Sequence, residues 1–272
     1  MKGIHVMTTL RDTALITGAS SGIGEALAEV FAQHQYNLIL VARNQHKLEA
    51  LASKLQLEHG VEVSVRPCDL SSLSNVKDLC DALLNDEIQV DVLVNNAGTV
   101  EHGSFVQIQP SEHQRIVQLN VCAITALLAY LLPPMLARGK GRVLNIASLG
   151  AFQPLPSVAT YAATKAFILS LSEALAEEVR GTGVTVTAVC PGLTATNMVA
   201  IAQQKSPALR RIPRFVFADP DTVARKAIAA CHNGDALLVP GLKNNLASVL
   251  SRATPKWLVR IITGLIGRAT LR

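Results

Sequence analysis

Tyr161 and Lys165 stand four residues apart in the run Tyr161-Ala162-Ala163-Thr164-Lys165. On a helix, that spacing sets both side chains on one face, one turn apart. An ammonium beside a phenol favours the phenolate and lowers the phenol's pKa from its reference value of about 10. A tyrosine tuned this way exchanges a proton with an alcohol or a carbonyl near neutral pH. A tyrosine and a lysine at this spacing also occur by chance on ordinary helices. The pair gains meaning from two features upstream, a glycine-rich turn at residues 17–24 and Ser148.

The turn has the context of a nucleotide site. Ala14-Leu15-Ile16 is a short apolar strand leading into Thr17-Gly18-Ala19-Ser20-Ser21-Gly22-Ile23-Gly24, and an amphipathic helix follows from about Glu25 to His34. Gly18 permits a tight turn, and the missing side chains let the backbone approach a pyrophosphate. The helix N-terminus offers free N–H groups and partial positive charge. A second strand, residues 37–42, ends in Ala42-Arg43-Asn44. A carboxylate at that strand end would read the ribose 2′-hydroxyl of NAD, whereas an arginine suits a 2′-phosphate. Arg43 therefore points to NADP(H) over NAD(H).

The elements that must position these residues alternate strictly. Helices are expected over 45–57, 72–85, 111–137 and 158–180, and strands over 61–67, 90–94, 142–146 and 184–189. The strands are apolar throughout, which implies a parallel sheet covered on both faces. No linker or repeat divides the chain, so a single α/β domain is expected, with residues 1–240 as its body and 241–272 as a helical extension. Gly18, Asn96, Ser148 and Gly192 all fall just past strand ends, where ligands sit in doubly wound sheets.

Thr17-Gly18-x-x-x-Gly22-x-Gly24, Asn95-Asn96-Ala97-Gly98 and Ser148 with Tyr161-x-x-x-Lys165 together resemble the short-chain dehydrogenase/reductase family. The resemblance covers roughly residues 12–240. The segment from Val143 to Glu177 is similar to the NADP-dependent branch containing ketoacyl and hydroxysteroid reductases. The resemblance implies a Rossmann-type doubly wound sheet of about seven strands. It implies Tyr161 as the proton donor in carbonyl reduction, Lys165 lowering its pKa and holding the nicotinamide ribose, and Ser148 hydrogen-bonding the substrate oxygen. Asn120 matches the fourth catalytic member, which holds a water of the proton relay, and Asp69 matches an adenine-contacting aspartate. Gly18, Ser20, Ser21, Gly22, Ile23, Gly24, Arg43, Asp69, Leu70, Asn96, Ala97, Gly98, Pro191, Gly192 and Thr194 would line the cofactor, together with Tyr161 and Lys165.

Composition limits the alternatives. The five scattered cysteines lack metal-ligand spacing and read as reduced thiols of an intracellular, cytoplasmic protein, with Cys190 buried in a strand. No metal site is expected. The first seven residues do not read as a signal peptide, and no uninterrupted apolar run of membrane-spanning length is seen. Net charge is +5, but residues 241–272 hold six Lys or Arg and no Asp or Glu, so the body is near neutral and offers no nucleic-acid stripe. Trp257, Leu258, Ile261, Ile262, Leu265 and Ile266 recur near helical spacing between basic residues. This tail reads either as a helix lying on an anionic membrane surface or as one packed on the substrate site or a partner subunit.

The substrate site is expected over the nicotinamide, built from 149–155, 99–105 and 193–216. Its mostly apolar lining suggests a hydrophobic ketone or aldehyde, or an acyl substrate. The basic stretch 205–214 reads equally as a lid for an acidic or acyl-carrier-bound substrate and as a solvated loop. Apolar residues on several faces of the helices at 111–137 and 158–180 point to a homodimer or homotetramer. Two other functions fit the scaffold less well. An epimerase or dehydratase usually needs a longer C-terminal substrate domain, and a non-catalytic NADP(H)-binding regulator would not need an intact Ser/Tyr/Lys set.

Overall fold

The structure, a computed structural model, describes residues 11–196, 199–200, 203, 210, 213, 216–255, 257–261 and 263–264. Its strands are β1 (Thr13–Thr17), β2 (Asn37–Ala42), β3 (Val63–Pro67), β4 (Val92–Asn95), β5 (Gly141–Ile146), β6 (Val184–Val189) and β7 (Leu237–Leu238). They form one parallel sheet in the order β3-β2-β1-β4-β5-β6-β7. The order reverses between β1 and β4, and a crevice opens past the carboxyl ends of strands at such a switch point.

The helices are α1 (Gly22–Gln33), α2 (Gln45–His59), α3 (Leu73–Asn85), α4 (Pro110–Val117), α5 (Ala123–Arg138), α6 (Ala159–Glu178), α7 (Pro220–Asn233) and α8 (Leu242–Ala253). Successive strand residues point to opposite faces, and the core divides accordingly. Ala14, Ile16, Leu38 and Leu40 pack with α1, α2 and α7 on one face. Leu15, Ile39, Leu93 and Val143 pack with α3, α5 and α6 on the other.

α4 and α5 are joined through a π-helical turn over Gln118–Cys122, so the long helix expected at 111–137 is continuous but locally unwound. Pro110–Arg138 is long enough, and its most apolar 18-residue window with a mean hydropathy of 1.9 apolar enough, to pass for a membrane span by length and composition. Its residues Ile124, Leu127, Leu131 and Met135 are instead buried against the sheet. Strand β3 begins at Val63 and β4 at Val92, each two residues later than expected. Before β4 the Asp91 carboxylate accepts the Thr13 N–H at 2.9 Å, fastening the start of β1 from the side.

Candidate active site

The chain leaves β1 through Gly18 at φ +67° and enters α1 through Gly22 at φ +61°, conformations that L side chains rarely adopt. A Cβ on Gly18 would stand 2.8 Å from Asn96 Nδ2. Gly24 differs in role: its Cβ would meet the Gly18 carbonyl at 2.2 Å, so this glycine lets α1 close on the turn. It does not line the cavity, contrary to the expectation for it. Ser21 precedes α1 in extended backbone, and its hydroxyl does not cap the helix. The first-turn N–H groups therefore keep their hydrogen-bonding capacity and positive end beside the cavity.

Thr17 locks this turn to the loop after β4. Its hydroxyl donates to Val94 O at 3.0 Å and accepts the N–H groups of Asn96 at 2.9 Å and Ala97 at 3.1 Å. The Asn96 amide donates back to Thr17 O at 3.0 Å. The mouths of β1 and β4 are thus tied together.

Arg43 and Asn44 are exposed at the end of β2, and Asn44 caps α2 by accepting the Lys47 N–H at 3.0 Å. Asp69, past β3, accepts the Ser71 backbone and hydroxyl at 3.0 and 2.8 Å. Those bonds, with smaller contributions from Arg43 and Arg115, hold its carboxyl below the usual range.

Ser148 follows β5, and its hydroxyl accepts the Gly150 N–H at 3.1 Å. Tyr161 and Lys165 lie on the first turns of α6. Lys165 is buried and donates to Ile146 O at 2.7 Å, with Nζ 5.8 Å from the Tyr161 ring centroid. Burial pushes the ammonium down to about 8. Burial also raises the Tyr161 phenol, against the opposing hydrogen bond from Ser148. The expected acidification of Tyr161 by Lys165 is therefore not present in the protein alone: the ammonium is turned to a backbone carbonyl, and desolvation dominates the phenol.

Asn120 sits fully buried in the π turn and does not line the cavity. Its amide accepts Thr99 N at 2.9 Å and donates to Thr99 O at 3.0 Å and to the Thr164 hydroxyl at 3.1 Å. It clamps the loop after β4 to α6 from behind. A Cβ on Gly98 would be 3.3 Å from Asn120 Oδ1 and 3.5 Å from Lys165 Nζ, so the clamp stands close to the lysine.

One cavity of about 1140 Å³ joins most of these parts. Gly18, Ser20, Ser21, Gly22, Ile23, Arg43, Asp69 and Leu70 line one end. Asn96, Ala97, Gly98, Ser148, Tyr161, Lys165, Pro191, Gly192 and Thr194 line its middle. The far end adds Val100, Leu149, Leu155, Pro156, Val158 and Leu193 as apolar wall, with His102, Gln153 and Thr263 as polar points. Pro156 and Ser157 were missed in the sequence because they sit between the expected loop and helix, with no motif of their own. The basic stretch 205–214 lies mostly outside the described residues. Away from the cavity, Glu29, Glu58 and His59 bring ligand atoms within 4.8 Å of one another, with Lys54 paired to Glu29 at 2.8 Å.

The family model described as short chain dehydrogenase matches residues 12–207. The chain belongs to the short-chain dehydrogenase family. It is similar to the ketoacyl reductase HetN of a Nostoc species, 33% identical over 229 residues that cover 84% of this chain and 78% of HetN. Among solved structures it is similar to a short-chain dehydrogenase from Sphingobium yanoikuyae in complex with NADPH, at 33% identity, TM-score 0.79 and 94% coverage of both chains. It is also similar to the bulky-bulky ketone specific alcohol dehydrogenase from Comamonas testosteroni, at 33% identity and TM-score 0.75, covering 88% of this chain and 91% of that one. This short-chain dehydrogenase is an NAD(P)-dependent oxidoreductase that interconverts a carbonyl and an alcohol.

Proposed function

We propose that this protein reduces the carbonyl of a hydrophobic ketone, aldehyde or acyl substrate and prefers NADP(H) to NAD(H). The observation behind this reading is the continuity of one cavity from Arg43 and the glycine turn, past Tyr161, to a mostly apolar end. The residues fit a dinucleotide: positive-φ glycines, an uncapped helix N-terminus and a guanidinium beyond β2 meet its phosphates. Ketone and ketoacyl activities in the names of similar proteins support the substrate class.

When bound, the nicotinamide supplies the hydride. Tyr161 holds the proton given to the carbonyl oxygen, and its raised pKa keeps that proton in place at neutral pH. Ser148 donates a hydrogen bond to the same oxygen as negative charge builds on it. Lys165 places a cation beneath the site and holds the ribose hydroxyls. Asn120 keeps α6 and the loop after β4 in register. An apolar wall excludes water around the reacting carbon.

Assembly and location follow from exposed features. Phe167 on α6 and Leu136 on α5 are apolar and exposed, which suits a homodimer or homotetramer built on these helices. The five free thiols suit a reducing cytoplasm.

The test is NADPH consumption against ketones, aldehydes and acyl thioesters of graded chain length. The expected result is carbonyl-dependent oxidation that rises with apolar bulk and is slower with NADH. A protein that binds NADPH but turns over no member of such a panel would contradict the reading.

A further inference from the structure

Helix α8 is amphipathic the wrong way round. Its inward positions are polar. Asn244 fills the space beside Gly192, where a Cβ would stand 2.7 Å from Asn244 Nδ2. Ser248 is buried, and the Ser251 hydroxyl donates to Phe152 O at 3.1 Å. Beside the exposed Asn245, four outward positions are apolar: Leu242, Leu246, Val249 and Leu250 are between 55 and 90% exposed. The next helical stretch also leaves large apolar side chains outside. Val259 and Thr263 face inward, while Trp257 and Ile261 are 59 and 49% exposed. A helix in water alone puts its apolar stripe on the core, so this outward stripe calls for an apolar occupant.

Charge selects the occupant. The sequence from 242 to 260 carries Lys243, Arg252, Lys256 and Arg260. Arg260 is exposed between Trp257 and Ile261. Residues 241–272 hold no Asp or Glu. A symmetric contact with a second copy would set this basic patch against itself. An anionic lipid surface meets both the charge and the apolar stripe, and a tryptophan suits the interface.

We infer that the C-terminal segment from Leu242 to Thr263 docks this enzyme on an anionic lipid bilayer. Thr263 also lines the catalytic cavity, so the docking element is part of the substrate wall. Resting on the carbonyl-reductase reading, this further assigns as substrate a carbonyl compound that partitions into the bilayer.

Trp257 is the single tryptophan of the chain and reports docking directly. Full-length protein is mixed with vesicles of phosphatidylglycerol and phosphatidylcholine, or of phosphatidylcholine alone. Co-sedimentation and Trp257 emission are read at low and high salt, for the native protein and for the double variant Leu246→Glu/Leu250→Glu. Docking predicts pelleting with the anionic vesicles, a blue shift of Trp257, at least tenfold weaker binding at high salt and again in the double variant. The variant should keep native turnover of a water-soluble ketone. Protein that stays in the supernatant with anionic vesicles overturns the proposal, as does unchanged Trp257 emission. A double variant that instead dissociates a dimer without lipid assigns the face to a second copy and overturns it too. Soluble-ketone turnover is measured separately, so failure to dock and failure of the reductase reading are told apart.

Discussion

The Lys165 ammonium donates to the Ile146 carbonyl at 2.7 Å, at the end of β5, and not to the Tyr161 hydroxyl. A buried cation with one carbonyl for a partner is poorly solvated, which is why its pKa falls to about 8. The unfolded chain holds this proton up to its ordinary pKa near 10.5. Between about 8 and 10.5 the unfolded state therefore binds more protons, and stability rises with pH. Lys165→Met removes the penalty. At pH 7 the variant should be more stable than the native protein by about 3–4 kcal/mol, since each pKa unit is worth about 1.4 kcal/mol. The gap should close by about pH 10.5. Urea denaturation across this range checks the sign.

The same lysine should set a limb of the rate profile. Its charge is present below about 8 and lost above it. The kcat/KM for NADPH in the reduction direction, which reports groups of the free protein, should fall as pH rises through that value. Lys165→Met should lose this limb together with roughly 10²–10⁴-fold of kcat. A profile flat from pH 7 to 10 would dissociate Lys165 from turnover.

Arg43 lies at the cavity's cofactor end and, among the described residues, forms no ion pair within 4 Å. Arg43→Asp removes a charge-assisted contact worth about 1.5–3 kcal/mol and adds a repelling carboxylate. NADPH should bind at least tenfold more weakly, and selectivity should swing toward NADH. Fluorescence titration of both cofactors measures this, and unchanged selectivity would separate Arg43 from the 2′-phosphate.

Thr17→Val keeps the side-chain shape but strands the N–H groups of Asn96 and Ala97. Each unsatisfied buried group costs about 1–3 kcal/mol. The variant should lose about 2–5 kcal/mol of stability by thermal denaturation. It should also bind NADPH more weakly, because the mouths of β1 and β4 lose their shared anchor.

How much of this was legible in the sequence depended on the range of the signal. The apolar strands are local patterns and form the expected sheet, and Gly18, Gly22, Tyr161 and Lys165, also local patterns, line one cavity. Gly24 was legible as a glycine but not as a packing one, because its neighbour, the Gly18 carbonyl, is set by the turn's three-dimensional path. The Thr17 latch and the buried chain from Asn95 through Asn145 to Ser172 join residues 27 to 80 positions apart. No local periodicity signals such contacts. The direction of the Tyr161 shift was also illegible, because spacing shows that two side chains share a face but not how deeply the phenol is desolvated.

The central claim is that Tyr161 passes the proton, and Tyr161→Phe tests it most directly. The variant keeps the ring and loses only the hydroxyl. It should lose carbonyl-dependent NADPH oxidation by at least roughly 10²-fold while its NADPH dissociation constant stays within about threefold of native. Turnover retained at near-native kcat, with NADPH still bound, would contradict the assignment.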